Sequence, residues 1–257
     1  MSTPPLLAVE GIGKRFNGFV ALEGISATFG SDRITAVIGP NGAGKSTFFN
    51  ILSGAIKPTT GRLVFEGGEL TAVAQHKFAH FGIARSYQIT SIFPQLSVHE
   101  NVRVSGQSFR SRYDIWNRRD LDRTLIAKAD AALAAVGLQD RSDRIAKCLS
   151  HGELRALDIA IAIVAEPKLL LLDEPTAGMG PEETKDMVTL IKRLAADRTI
   201  LLVEHKMKMI LGLSDRILVL HHGRLIADGT PDEIQADAEV RRVYLGAKPC
   251  QCLKSRA

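Results

Sequence analysis

Residues 39–47 read Gly39-Pro40-Asn41-Gly42-Ala43-Gly44-Lys45-Ser46-Thr47. The spacing is G-x-x-x-x-G-K-[ST], a pattern in which glycines let the backbone close around phosphate oxygens where a Cβ would obstruct it. An apolar, β-branched run at 34–38 leads into the loop and a helix-like segment at 46–52 leaves it. Backbone N–H groups of the loop and of the helix N-terminus then form a positive concavity for an anion. Lys45 has the reach for β- and γ-phosphates, and the Ser46 hydroxyl can ligate Mg²⁺. The chemistry this stretch suits is capture of a nucleoside triphosphate.

A second constellation is Leu169-Leu170-Leu171-Leu172-Asp173-Glu174-Pro175. The leucines read as a strand buried on both faces, in the manner of a central parallel strand. Two acids at the end of such a strand, with no evident cation to offset them, point to a metal and a water rather than to solvated surface. Asp173 can hold Mg²⁺ through water, and Glu174 can polarise a water as general base. His205 follows another buried run, 199–203, and can bond a γ-phosphate and the attacking water. Ser150-His151-Gly152-Glu153 opens an apolar helix (Leu157, Ile159, Ala160, Ile163, Val164), which makes Ser150 an N-cap and a second anion site. Gln88 closes an apolar stretch and can bond a metal-bound or attacking water. Phe16 can stack on a nucleobase. Taken alone, Phe16 reads as core, Gln88 as a solvated amide, His205 as a structural strand-end residue and Ser150 as a plain cap.

The elements that must position these residues follow from periodicity and punctuation. Residues 6–29 read as a small antiparallel sheet with turns at Asn17-Gly18, Gly24 and 30–32, which places Phe16 in a turn. A turn at 57–61 and a strand over 61–68 follow the glycine-loop helix. Residues 97–165 read as helical. Ser97 and Glu100 fit a capping box, and Leu121, Leu125, Ala129, Ala132, Leu133 and Val136 recur at helical spacing before a stop at Gly137. Between them, 109–119 is basic and aromatic (Arg110, Arg112, Tyr113, Trp116, Arg118, Arg119), which fits a nucleic-acid patch, a membrane-proximal surface, a partner contact or an amphipathic linker. Gly180-Pro181-Glu182-Glu183 starts a helix that runs to 196. A hairpin turns on His221-His222-Gly223, and short helices close the chain at 231–234 and 240–245.

The 257 residues are enough for a substantial core, and 24% charged with 45% hydrophobic is globular composition. The net charge of +5 suits a nucleotide-binding protein or one that docks near anionic lipid, and equally a solvated basic surface. No apolar run approaches the roughly 20 residues of a membrane span, since Asp158, Glu166, Pro167 and Lys168 interrupt 156–172. The first residues carry no basic segment of a signal peptide. Cys148, Cys250 and Cys252 form no metal-spaced set and read as free thiols, the last two in a frayed tail.

In order and at these separations, the motifs resemble those of ATP-binding-cassette (ABC) transporter ATPases over nearly the whole chain, 7–246. The resemblance makes residues 39–47 the Walker A loop and Gln88 the Q-loop glutamine. Leu149-Ser150-His151-Gly152-Glu153 looks like the signature motif, 169–173 like Walker B, Glu174 like the catalytic glutamate, His205 like the switch histidine and Phe16 like the base-stacking aromatic. It implies a RecA-like α/β P-loop core, mostly parallel, over about 1–90 and 166–246. An N-terminal antiparallel β-subdomain, a helical subdomain over about 91–165 and a tail at 247–257 complete the expected plan. ATP and Mg²⁺ are the implied ligands, with Ser46, Gln88 and Asp173 at the metal. Gly39, Pro40, Asn41, Gly42, Ala43, Gly44, Lys45, Ser46, Thr47, Ser150, Gly152 and Glu153 would lie at the nucleotide. Lys45, Gln88, Glu174 and His205 would carry the chemistry.

The sequence departs from the family pattern at His151 (usually Gly), Glu153 (usually Gln) and Gly180 (often Asp), and stacks with Phe16 rather than Tyr. The last of these preserves stacking, whereas Gly180 removes any contact an aspartate would make across a dimer. Gly82-Ile83-Ala84-Arg85-Ser86-Tyr87-Gln88, the basic-aromatic insert, 177–184 and 240–246 look like the ATPases of branched-chain or hydrophobic amino-acid importers, a subgroup shared with urea, amide and aromatic-acid importers. The partners implied are a second ABC ATPase subunit (homodimer or paralogue) placed head to tail, two transmembrane permease subunits and, indirectly, a periplasmic solute-binding protein. Nucleic acid is not among them. The implied location is peripheral, on the cytoplasmic face of the bacterial inner membrane. A DNA-associated ABC-type ATPase is the rival reading, and it requires coiled-coil or zinc-bearing inserts that this sequence does not display.

Overall fold

Strand β3 (Ile34–Ile38), which leads into the glycine loop, is buried at every residue, and so is β7 (Leu169–Asp173). Such strands need cover on both faces, and the fold supplies it. The computed structural model describes residues 4–30, 33–86, 92–107 and 123–245. Gln88, the 109–119 insert, Leu121 and the Cys250/Cys252 tail lie outside the described residues.

A sheet of order β10-β9-β3-β8-β7-β6 runs through the molecule. It comprises β3, β6 (Ile83–Ser86), β7, β8 (Thr199–Val203), β9 (Arg216–His221) and β10 (Arg224–Gly229). All pairs are parallel except the β9–β10 hairpin. Alternate residues of each strand feed different cores. Ile38, Leu170, Leu172, Ile200 and Leu202 join the helices on one face, and Val37, Leu169, Leu171, Leu201 and Val203 join the other. That second face is covered by helix α1 (Lys45–Leu52) and by an antiparallel sheet of order β2-β1-β4-β5, with β1 at Leu7–Phe16, β2 at Phe19–Phe29, β4 at Thr60–Phe65 and β5 at Gly68–Glu69. The helical face carries α2 (Val98–Gly106), α3 (Arg123–Val136), α4 (His151–Ile163), α5 (Pro181–Leu194) and α6 (Met207–Leu213). Helices α7 (Pro231–Ala236) and α8 (Ala238–Leu245) end the described chain. The observed α/β P-loop architecture is the expected one.

Leu171 is fully buried within the second core, on β7 between β6 and β8. Leu171→Ala should therefore lower unfolding free energy by about 2–5 kcal/mol, read as a shifted urea midpoint at unchanged slope.

Four local expectations need correction. Gly24 is not a turn: β2 runs through it, and its positive φ of 64° sits beside a register shift against β1, so the extra curvature is absorbed by bulging. Phe16 is the last residue of β1 and pairs with Phe19 across the two-residue Asn17-Gly18 turn, where both φ values are positive. The region 97–165 is helical only in part, because short 3₁₀ turns at Gln139–Arg141 and Ala146–Cys148 separate α3 from α4. At Ser97 half of the capping box forms. Its hydroxyl accepts from Glu100 N, while the Glu100 carboxylate turns to Arg103 at 2.6 Å. A cation one turn along outcompetes a backbone N–H for that carboxylate.

Candidate active site

The parallel strands place the chemistry-bearing residues on one edge. The glycine loop leaves the carboxyl end of β3, Asp173 and Glu174 leave β7, and His205 lies two residues past β8, the strand between those two. In open α/β sheets, ligands bind outside the carboxyl ends of the strands. Gly44 sits at the N-cap of α1 with φ 100°, and a Cβ there would lie 2.6 Å from Leu22 Cδ2 and 2.8 Å from Ala21 O. A Cβ at Gly39 would lie 2.3 Å from Leu220 O. The loop is therefore packed from behind, while Asn41, Gly42 and Ser46 face solvent. That cradle fits a phosphate chain.

Lys45 Nζ donates to Gly39 O at 2.6 Å and Pro40 O at 3.0 Å. Partial burial pulls its pKa below the ordinary lysine value, and the nearby Glu174 and Asp173 carboxylates oppose that pull. A phosphate would add to the opposing field. Ser46 and Asp173 offer hydroxyl and carboxylate oxygen, the hard donors that Mg²⁺ takes. The expectation that no cation offsets Asp173 is corrected here. Arg85 Nη2 pairs with Asp173 Oδ2 at 2.8 Å, and Arg85 Nη1 reaches Asn50 Oδ1 of α1 at 2.7 Å and Oγ of its C-cap, Ser53, at 3.0 Å.

Glu174 adopts φ +46°, a left-handed conformation that costs a non-glycine residue about 1–3 kcal/mol. The surroundings hold it there. Its N–H donates to Val203 O at 2.9 Å, and its carbonyl accepts from Ala177 N at 3.1 Å and from Arg155 Nη2 at 3.1 Å. Glu174 Oε1 lies 3.7 Å from His205 Nδ1, with the imidazole largely exposed. Behind them, the buried Glu204 accepts from Thr176 N at 2.9 Å, from the Thr176 hydroxyl and from His205 N at 3.1 Å. Lys206 Nζ donates to Thr176 O at 2.9 Å. Thr176 is thus clamped at both its N–H and its carbonyl, and the clamp ties the Glu174 loop to the backbone of His205.

The signature-like tip lies apart from this cluster. Ser150 caps α4 with both bonds of a capping box: Glu153 N donates to Ser150 Oγ at 3.2 Å, and Ser150 N donates to Glu153 Oε2 at 2.8 Å. Glu153 Oε1 is held by Arg141 at 2.7 Å, so this carboxylate is engaged in shaping the tip. His151 Nε2 stands 3.3 Å from Ala177 O. The groove beside Ser150 and Gly152 is lined, among the described residues, by Val136 of α3, Arg141 of the following 3₁₀ turn, Met179 of the loop before α5 and Glu183 of α5, with nothing from the glycine loop. Phe16 remains 40% exposed at the sheet edge, with Lys14 Nζ 5.0 Å above its ring.

The family model for ABC transporters matches residues 22–177, more than half of the chain. The chain belongs to the ABC transporter ATP-binding family. It is accordingly an ATP-binding ATPase subunit. A second model, described as the branched-chain amino acid ATP-binding cassette transporter, matches residues 224–248. The high-affinity branched-chain amino acid transport ATP-binding protein LivG of Salmonella typhimurium is 38% identical over 250 residues, covering 94% of this chain and 98% of LivG. BraF of Pseudomonas aeruginosa, of the same description, is 35% identical over 94% of this chain and 98% of its own. The crystal structure of an ABC-transporter cassette in its ADP conformation superposes with TM-score 0.85 at 31% identity, covering 95% of this chain and 100% of that one.

Several residues of this cassette's site escape a sequence reading. Arg85, Arg155, Asp158 and Glu204 are charges set in apolar surroundings, which is the one signal they give. Two of these contacts span long stretches of chain: Arg85 and Asp173 are 88 residues apart, and Ser86 and Asp158 are 72 apart.

Proposed function

We propose that this cassette powers a membrane importer for branched-chain or related hydrophobic amino acids. The observation that carries the reading is the end-to-end similarity to LivG, which extends past the ATPase motifs into 224–248, the stretch matched by the branched-chain-specific model. Two cassettes, identical or paralogous, face each other head to tail. ATP stacks on Phe16, threads its phosphates through 39–47, and meets Ser150 and Gly152 of the opposite copy. The placement of the Ser150 groove away from its own glycine loop supports that trans arrangement. Ser46, Asp173 and Gln88 would hold Mg²⁺, which would supply charge withdrawal at the phosphate oxygens. Glu174 takes the proton of the attacking water, His205 holds the water against the γ-phosphate, and Lys45 neutralises the developing charge. Glu153 acts on the nucleotide through the cap it makes with Ser150.

The permease docks by the segment that runs from Gln88 to Glu100. Within it, Phe93 is 52% exposed while its backbone is pinned by the buried Asn101, which donates to Phe93 O and accepts from Phe93 N. No helix among the described residues is long and apolar enough to cross a membrane. In this reading the cassette rides on two permease subunits at the cytoplasmic face of the inner membrane, with the periplasmic binding protein on the far side. Co-expression with its permeases, reconstitution into vesicles and addition of binding protein loaded with leucine or with urea tests this. Leucine-dependent stimulation of ATPase is the expected result. Stimulation by urea alone, or salt-sensitive binding to duplex DNA without permease association, would overturn it.

A further inference from the structure

We propose that Arg155 is a positioning residue for hydrolysis, acting through the peptide of Glu174 and tying it to the signature helix and to the strand that delivers Gln88. The inference rests on Glu174 being the general base. Helix α4 buries an apolar face on the sheet, with Leu157, Ile159 and Ala160 wholly covered, yet Arg155 and Asp158 are buried on it at 5% and 4% exposure. Burying a guanidinium and a carboxylate brings little stability of its own, because desolvation offsets their attraction. What they contact is therefore informative. Arg155 Nη2 donates to Glu174 O at 3.1 Å, and Arg155 Nη1 stands 3.8 Å from Asp158 Oδ2. Asp158 Oδ2 accepts from Ser86 Oγ at 2.8 Å, and Ser86 is 2% exposed. Ser86 is the last residue of β6, two positions before Gln88.

One rigid helix thus carries three things. Its tip presents Ser150 and Gly152 for the opposite copy's nucleotide, its second turn grips the carbonyl of this copy's own Glu174, and Asp158 grips the end of β6. Glu174 sits in a left-handed backbone conformation with its N–H and carbonyl both held. Releasing the Arg155 bond leaves the carbonyl held by Ala177 N alone, which lets the peptide turn and moves the carboxylate away from His205. A shift of α4, when its tip meets or leaves a nucleotide, reaches the same peptide through the same bond. Engagement of one site is thereby relayed to the base of the other.

The test uses the full chain and four purified variants: Arg155→Met, Arg155→Lys, Glu174→Gln and the double variant Arg155→Met/Glu174→Gln. Arg155→Met is expected to lower kcat about 10- to 100-fold while KM for ATP and the affinity for ADP stay within about threefold, since only the base moves. Arg155→Lys, which keeps the charge but not the fork, should recover part of the rate. In the Glu174→Gln background, Arg155→Met should add no further loss, because both changes remove one function. If Arg155→Met folds poorly, Ser86→Ala removes only a hydroxyl and should still lower kcat about two- to fivefold at constant KM. A parent kcat in Arg155→Met, Arg155→Lys or Ser86→Ala overturns the proposal, as does a full additional loss in the double variant. A parent rate in Glu174→Gln alone would instead overturn the assignment of the base.

Discussion

Glu174→Gln should leave ATP binding intact and cut hydrolysis about 10²–10⁴-fold, the usual contribution of a positioned general base. The substitution keeps the side chain's length and the peptide's held conformation, since the bonds to Val203 O, Ala177 N and Arg155 are all made by the backbone. What it loses is the basic oxygen 3.7 Å from His205 Nδ1. With the triphosphate uncleaved, the two cassettes should remain paired, and size-exclusion chromatography with ATP should show a persistent dimer that ADP does not support. Hydrolysis at the parent rate, measured as phosphate release, would remove Glu174 from its assigned role.

Lys45→Ala should fail at the step before. Lys45 Nζ is the cation within the loop, bonded to Gly39 O and Pro40 O and close enough to Glu174 and Asp173 for their charges to act on it. Its removal takes away the loop's own cation, so the triphosphate loses its ammonium partner beside Glu174 and Asp173. Losing one partner of such a desolvated charge pair costs about 2–5 kcal/mol, or roughly 30- to several-thousand-fold in affinity. Calorimetric titration with ATP should show that weakening, while the thermal midpoint without nucleotide stays close to the parent, because Lys45 anchors only its own loop. Parent-like affinity would mean that the phosphates lie elsewhere.

The contrast between these variants and Arg155→Met marks where sequence reading stops. Lys45, Ser46, Asp173 and Glu174 each advertise themselves locally, whereas Ser150 and His205 take on meaning only from the ordered set of motifs around them. A strand, a turn and a helix N-terminus adjoin the first four in the chain, so backbone context and residue type can be read together. Gly24 shows the limit of local punctuation, since a glycine reads the same in a turn and in a bulge, and only pairing with β1 tells them apart. Glu100 shows another. The capping-box spacing is present, but Arg103 competes for its carboxylate, and spacing carries no measure of competition. Arg85 offsets the buried charge of Asp173 from a strand that the chain reaches 88 residues earlier.

The order and types of residues along the chain were sufficient to determine a nucleotide-binding α/β cassette, the strand ends that hold its candidate site residues and the cap that opens α4. Those properties depend on hydrogen-bonding and side-chain patterns within a few residues of one another. Tertiary structure alone decided which carboxylates are neutralised and by whom, that Glu174 is held in a left-handed conformation, and that Arg155, Asp158 and Ser86 join three elements behind it. The physical reason is that a buried charge must find a partner wherever packing brings one within about 3 Å, and strand register and helix docking, not sequence proximity, set that distance.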